Sequence, residues 1–522
     1  MSAWMQGHHP PSMSVAYRCG GTPLSSELPA DWMVLVAGGL LAVGVLGAGF
    51  ANRLRAPGLL LFLAIGMVIA DDGLALVTLN EPVFAQGVGT VALVIILFEG
   101  GLTTKPRDLR AAAAPGAILA TLGVVITAVV VAGGAALLFA VDDLTAVLLG
   151  SVVASTDAAA VFDVLRRAPL PRRLTSLLEV ESGGNDPVAV MLTIGALETW
   201  QRTPALSEWV LFGLRQLGGG VFIGVLVGLA GAWLLNRVRL GAGGLYPVLA
   251  LALAGLAYGV TASFGGSGFL AVYAAGLLIG ARVPRHRRTI RTFHEGLAAG
   301  SSIGLFLLLG ILVFPSDLPA VTIPALLIAG ILVFVARPIA VLLCLPLFGY
   351  GWRDLALLSW AGLRGAVPIV LATFPLAAGH PDGRLIFNVV FFVVIVSAAL
   401  QGLTVGWVAD RLGLRSEGRI WSPVAEVLPL DEVDGVEAEL VEVDVREDLH
   451  VAGRQLREVP LPEGGLATTL LRDGRALIPT GSTRLEGGDV LLVAMPRRQG
   501  AATRLVAWAR GEQHQREAED AE

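Results

Sequence analysis

Charge is scarce in this chain. Only 15% of its 522 residues are charged against 55% hydrophobic, and the mean hydropathy is +0.73. That balance excludes an ordinary soluble globular protein, and a net charge of −5 supplies no basic surface for nucleic acid. Cysteine is nearly absent: Cys19 and Cys344 are too few, and lie in environments too different, to build a disulfide framework. Cys344, inside a hydrophobic segment, reads as core packing. Residues 1–31 lack a basic stretch followed by a cleavable apolar core, so no signal peptide is expected. Also missing are a Thr-Val-Gly-Tyr-Gly potassium filter and the Gly-x-Gly-Asp and Tyr-Asp contexts of intramembrane aspartyl proteases. The dinucleotide fingerprint Gly-x-Gly-x-x-Gly is missing too, since Gly47-Ala48-Gly49 lies in a hydrophobic segment without the rest of the motif.

What the chain does have is hydrophobic length. A spanning helix needs about 20 mostly apolar residues. Thirteen candidate segments fall at about 32–52, 58–71, 84–103, 111–140, 143–166, 174–200, 209–236, 244–262, 267–281, 296–314, 318–346, 354–378 and 386–410. Basic residues test that count independently, because Lys and Arg favour cytoplasmic loops. They cluster after the odd-numbered segments, as in Lys105, Arg107 and Arg110, in Arg166, Arg167, Arg172 and Arg173, and in Arg282, Arg285, Arg287, Arg288 and Arg291. The other side carries Arg202, Arg215 and Arg384, and acids such as Asp71, Asp72, Asp142, Asp143 and Asp317. An odd number of spans puts the N-terminus outside and the C-terminus in the cytoplasm.

After about residue 420 the pattern changes to short alternating runs, such as Ala438-Glu439-Leu440-Val441-Glu442-Val443, which predict a small β-rich domain. From residue 421 onward acids outnumber bases 20 to 11, a net of −9 that leaves +4 on the membrane part. The expected organisation is an N-terminal tail over 1–31, a transmembrane domain over 32–415, a small regulatory domain over 424–508 and a polar tail over 511–522.

Charges inside the hydrophobic segments point to function, since each costs roughly 2.5–3.5 kcal/mol at the bilayer centre. In segment 6, Glu181-Ser182-Gly183-Gly184-Asn185-Asp186-Pro187 puts Ser182 and Asp186 on one helix face and Glu181 and Asn185 on the next. Pro187 removes a donor opposite the Gly183 carbonyl, and the glycines are expected to loosen that turn. A carboxylate, a hydroxyl and freed carbonyls suit an alkali cation. The plain alternative, a simple Pro-Gly kink, is outweighed by Asp186. Segment 5 has Thr156 and Asp157 near its midpoint, after the small residues Gly150 and Ser151, which permit close helix crossing or local unwinding. An Asp at such a break can offset the positive end of a half-helix. Segment 12 is interrupted at Ala361-Gly362-Leu363-Arg364-Gly365-Ala366-Val367-Pro368. Segments 5 and 12 are seven apart, so they correspond in a chain of six helices, a linker helix and six more, the positional sign of an inverted-repeat transporter. Glu99 sits towards the cytoplasmic end of segment 3, where snorkelling is the plain alternative, and Arg337 in segment 11 requires an acidic partner. Asp163 and Glu198 lie near segment ends and read as interfacial, and Glu179 is a weaker candidate.

Four stretches in order, Leu-Phe-Glu-Gly-Gly-Leu at 97–102, Ser-Thr-Asp-Ala-Ala-Ala-Val-Phe at 155–162, Glu-Ser-Gly-Gly-Asn-Asp-Pro-Val-Ala-Val at 181–190 and Gly-Leu-Arg-Gly-Ala-Val-Pro at 362–368, resemble the monovalent cation:proton antiporter family. More narrowly, they resemble its NhaP-type potassium/proton subgroup. Residues 424–508 resemble a TrkA-C regulatory domain, through Val451-Ala452-Gly453-Arg454-Gln455-Leu456 and Leu485-Glu486-Gly487-Gly488-Asp489.

The resemblance implies an all-α polytopic fold of about 13 helices as two inverted six-helix repeats, with discontinuous helices 5 and 12 crossing, plus a small α/β cytoplasmic domain. It implies that Asp186 alternately binds cation and proton, with Ser182, Glu99 and the Thr156 backbone as co-ligands and Asn185 as a neutral neighbour. It further implies an ion pair between Glu181 and Arg337, and charges Asp157 and Arg364 at the helix crossing. A homodimer in a bacterial inner membrane and electroneutral exchange of potassium or sodium for protons follow from it, with no resident cofactor and no nucleic-acid partner. A regulatory nucleotide or ion on the C-terminal domain is an open expectation. The rival readings are a potassium channel and a cation:proton symporter with a cytoplasmic sensor.

Overall fold

A hydrocarbon environment offers no partner to backbone N–H and C=O groups, so apolar runs long enough to cross it must satisfy them internally as helices. The computed structural model describes residues 29–54, 58–70, 73–75, 82–104, 106–157, 170–202, 205–283, 286–313, 315–414, 425–428, 438–472, 475–496 and 501–511. The second half of segment 5, with Asp163, lies outside the described residues, as do residues 1–28 and 512–522. The chain divides into two compact units, Met1–Arg415 and Ser416–Glu522.

The first unit is helical. Its early helices are α1 (Pro29–Leu54), α2 (Gly58–Ile69), α3 (Pro82–Thr103), α4 (Pro106–Ile118), α5 (Val124–Leu138) and α6 (Asp143–Val153). They are followed by α7 (Arg172–Gln201), α8 (Leu206–Gly213), α9 (Gly220–Arg237), α10 (Leu245–Ser263), α11 (Gly268–Arg282) and α12 (Arg287–Ile311). The last are α13 (Leu318–Ile331), α14 (Arg337–Cys344), α15 (Trp352–Trp360), α16 (Ala366–Ala377) and α17 (Gly383–Arg411). Single π turns join α4 to α5, α8 to α9 and α13 to α14, at Leu119–Gly123, Leu214–Gly219 and Leu332–Ala336. Each joined pair therefore reads as one hydrophobic segment in sequence. Among the described residues, seven helical spans are long and apolar enough to cross a membrane, and five shorter apolar helices accompany them.

Large apolar side chains point outward as well as inward. Phe98, Leu148, Val152 and Val390 are buried in the main core, whereas Leu137, Phe222 and Trp233 are exposed, as a lipid solvent allows. The small residues of segment 5 have the expected use: a Cβ on Gly150 would lie 3.0 Å from the Ala132 nitrogen, so α6 runs against the backbone of α5. Segment 6 is α7, one 30-residue helix with Pro187 inside it: the proline leaves the Gly183 carbonyl without its i+4 donor, while the glycines do not break the helix. Its Gly183 serves packing instead, with the ring of Tyr273 from α11 occupying the space that a side chain would need.

The second unit holds the predicted β structure. Five antiparallel strands, β1 (Ala425–Leu428), β2 (Ala438–Asp444), β3 (Leu466–Arg472), β4 (Arg475–Leu477) and β5 (Val490–Pro496), lie in the order β1-β2-β5-β3-β4. Alternation puts Val441, Val443, Leu491 and Val493 on one buried face, where Leu505 and Trp508 of α18 (Ala501–Arg510) join them.

Candidate ion site at two broken helices

Two interruptions of helix meet inside the first unit. α6 ends at Val153 with Ala154 as its C-cap, and residues 155–157 continue as non-helical backbone buried inside the protein. α15 ends at Trp360, and residues 361–365 separate it from α16. A helix end leaves orphan donors or acceptors that cannot stay unpaired away from water. Here each break serves the other. The Asp157 nitrogen donates to the Leu363 carbonyl at 2.9 Å, and the Asp157 carboxylate accepts from the Ala366 nitrogen at 3.1 Å, at the start of α16. In return, Arg364 Nη1 donates to the carbonyls of Ala154 at 2.9 Å and Ser155 at 2.6 Å, past the end of α6. A carboxylate thus faces a helix N-terminus and a guanidinium a helix C-terminus, the signs that the helix dipoles favour. A Cβ on Gly365 would fall on the Asp157 carboxylate, so only glycine fits at that crossing.

Helix α17 completes the support. Ser397 Oγ accepts from the Arg364 nitrogen at 2.9 Å and donates to Gln401 Oε1 at 2.6 Å. Gln401 Nε2 in turn donates to the Trp360 carbonyl at 2.8 Å, which satisfies the end of α15. Sequence reading missed Ser397 and Gln401, although two polar residues four apart inside a hydrophobic segment were the available signal.

Helix α7 lies across these breaks. The hydroxyls of Thr156 and Ser182 are 3.4 Å apart, and Asn185 Nδ2 donates to Thr156 Oγ1. Asp186 is 5% exposed. Among the described residues, Asp186 Oδ1, Asn185 Oδ1 and Ser155 Oγ are buried oxygens with no hydrogen-bond partner. Buried polar atoms are rarely left so, and orphaned acceptors in one neighbourhood are chemically fitted to a cation or a proton. Asp157 and Arg364 act on Asp186 electrostatically with opposite signs.

One turn away, Glu181 and Arg337 form a buried bidentate pair, with Nη2 to Oε2 at 2.9 Å and Nη1 to Oε1. Arg337 Nε also donates to the Leu358 carbonyl at 3.2 Å, so this side chain ties α14 to α7 and α15. Glu99 is half-buried on α3. Glu179 is half-buried on α7. Glu198 pairs on the surface with Arg202 at 3.6 Å. Tyr273 went unnoticed in the sequence: its ring covers Gly183, next to Ser182, and its hydroxyl lies 3.4 Å from Thr104 Oγ1. No cluster of three or more His, Cys, Asp or Glu suited to a resident metal occurs among the described residues.

Broken helices that cap each other around buried ionisable groups, within a bundle of apolar helices, define a secondary membrane transporter. Comparison with known proteins agrees. Residues 39–411 match the family model described as sodium/hydrogen exchanger, transmembrane, and residues 440–506 match the TrkA-C domain. The chain belongs to the sodium/hydrogen exchanger family and is a transporter, not an enzyme. It is 41% identical over 465 residues to the K(+)/H(+) antiporter NhaP of Alkalimonas amylolytica, covering 88% of this chain and 80% of that one. It is 39% identical over 470 residues to the K(+)/H(+) antiporter NhaP2 of Shewanella oneidensis, with the same coverage. The Na(+)/H(+) antiporter ApNhaP of Aphanothece halophytica is 31% identical over 393 residues, 70% of this chain and 72% of that one. In fold it resembles the sodium proton antiporter MjNhaP1 of Methanocaldococcus jannaschii, with a TM-score of 0.65 at 23% identity over 74% of this chain and 99% of that one.

Proposed function

We propose that this protein exchanges a monovalent cation for protons by competition at Asp186. The observation that carries the reading is the buried Asp186 carboxylate with an unpartnered oxygen, held beside the hydroxyl-lined break at Thr156. A cation and a proton neutralise the same carboxylate, so each excludes the other, and a carrier that moves only when neutralised couples the two flows in opposite directions. Exclusion at one carboxylate favours exchange over symport, which needs both ions bound together. Ser182, Glu99 and the Thr156 backbone are the proposed co-ligands. Asn185 is neutral, so the site has one fewer titratable charge than a pair of acids would have, and one-for-one electroneutral exchange is the matching stoichiometry. Asp157 and Arg364 hold the breaks, and Glu181 with Arg337 holds α7 in place.

Potassium is the proposed preferred cation, on the names of the relatives at about 40% identity, while the 31% relative named for sodium keeps sodium in the comparison. The proposed setting is a homodimer in the inner membrane, N-terminus outside, serving cation efflux and pH homeostasis. The TrkA-C unit is proposed to face the cytoplasm and to set the response to pH or to a bound nucleotide or ion. The deciding experiment measures proton movement in proteoliposomes under imposed potassium and then sodium gradients, with the potential clamped, for wild type and Asp186→Asn. Cation-dependent proton flux that vanishes in the variant supports the reading. Cation flux without protons would replace it with a channel or an uncoupled carrier.

A further inference from the structure

Arg202 and Arg215, like Arg384, run against the charge rule, and the ion site uses neither of the first two. They come together in a surface cavity of about 370 Å³ between the end of α7 and the start of α8, also lined by Glu198, Glu208, Trp209 and Phe212. Arg202 is shared between two acids, Glu198 at 3.6 Å and Glu208 at 3.5 Å, all three partly exposed. Arg215 has no ion-pair partner among the described residues, and it lies in the π turn Leu214–Gly219 on a face where Val210, Leu211 and Leu214 are exposed. An unpaired arginine on an apolar, outward-facing helix surface is costly unless something outside the chain answers it.

The order of charges says what that is. Glu208 stands in the first turn of α8, and Arg215 follows about 10 Å further along the helix axis, on the same face. Side chains lean towards a helix's N-terminus, so the guanidinium reaches back to a level somewhat below the Glu208 carboxylate. From the membrane surface inward the cavity therefore presents excess negative charge, then an aromatic wall at Trp209 and Phe212, then one unpaired cation. A phospholipid with a primary ammonium presents the complementary order: ammonium outermost, phosphate beneath it, acyl chains below. An anionic lipid would satisfy Arg215 but place its charge near two carboxylates that share one arginine.

We infer that this cavity binds the headgroup of a zwitterionic phospholipid of the phosphatidylethanolamine type, phosphate on Arg215 and ammonium on Glu208 and Glu198. The purified full-length chain is titrated with phosphatidylethanolamine, phosphatidylcholine or phosphatidylglycerol in mixed micelles, reading the melting temperature, with native mass spectrometry for bound lipid. Phosphatidylethanolamine is expected to raise the melting temperature most, since a ligand of the native state stabilises it. Arg215→Gln and Glu208→Gln should each need about tenfold more lipid for the same rise, while melting like wild type without added lipid. An equal or larger effect of phosphatidylglycerol would reduce the cavity to an anion site. An equal effect of phosphatidylcholine would remove the primary ammonium from the argument, and a lipid-independent change of oligomeric state in Arg215→Gln would make the face a contact with a second copy. Any of these three results overturns the inference.

Discussion

Glu181 and Arg337 have side chains only 2% and 4% exposed, so neither can lose its partner without leaving a charge stranded in the interior. Glu181→Gln is expected to cost about 3–5 kcal/mol of stability, whereas replacing both residues by apolar ones of similar size should cost much less. Melting curves of the purified variants decide it, and a double variant as unstable as the single one would refute the pairing argument. Tyr273 makes a second case. Gly183→Ala puts a methyl group into its ring and should destabilise by about 1–3 kcal/mol, with partial recovery when Tyr273 is shortened to Val. Additive losses across that cycle would show that the two positions do not meet. Ser182 and Asp186 were legible in the sequence because spacing of four fixes a shared helix face whatever the tertiary structure. Tyr273 was not, because its partner is a missing side chain on a helix about ninety positions earlier, and no local pattern records such an absence.

At the scale of elements, the interruption in segment 12 was readable because glycines, an arginine and a proline crowd one short stretch of hydrophobic sequence. In segment 6 the proline and glycines leave the helix unbroken. Pro187 removes only one donor, and packing of α7 against its neighbours keeps the rest of the helix intact. The π turns escaped notice altogether, since an extra residue in a turn leaves hydropathy unchanged. The crossing itself makes a graded prediction. Asp157→Asn keeps an acceptor for the Ala366 nitrogen but loses the negative charge at the N-terminus of α16, which costs about 0.3–2 kcal/mol there. Asp157→Ala strands that buried donor and should add about 1–3 kcal/mol. Thermal unfolding of the two variants in one detergent tests the ranking, and equal losses would assign the whole effect to charge.

For the whole molecule, the two units make separable predictions. In the second, burial of Asp489 opposes its ionisation, but hydrogen bonds from Arg472 and from the Glu486 nitrogen prevail and hold the carboxyl below its ordinary value. A carboxylate lowered in this way contributes stability above its unfolded pKa of about 3.9, and that contribution fades as pH falls through the lower folded value. Melting of the C-terminal unit in the full chain should therefore weaken on acidification below about pH 4, and Asp489→Asn should flatten the dependence. An unchanged acid profile in the variant would count against the clamp. Truncation after Arg415 should leave cation:proton exchange in proteoliposomes intact while altering its response to pH or ligand; loss of all transport from a well-folded truncation would defeat the regulatory reading. The alternating pattern after residue 420 made this unit legible, whereas its strand order was not, because β2 pairs with β5 across roughly fifty residues.

The mutual capping of the two breaks also bears on how the protein is made. Asp157 waits 209 residues for the Ala366 nitrogen, and the carbonyls of Ala154 and Ser155 wait as long for Arg364. At ordinary rates of synthesis that interval is roughly ten to forty seconds, during which the first half of the chain is in the membrane with polar backbone exposed and its closing piece unmade. The nascent N-terminal half is thus a natural client for insertion chaperones, and a ribosome stalled between the two breaks would leave a product that the membrane cannot accommodate and quality control can recognise.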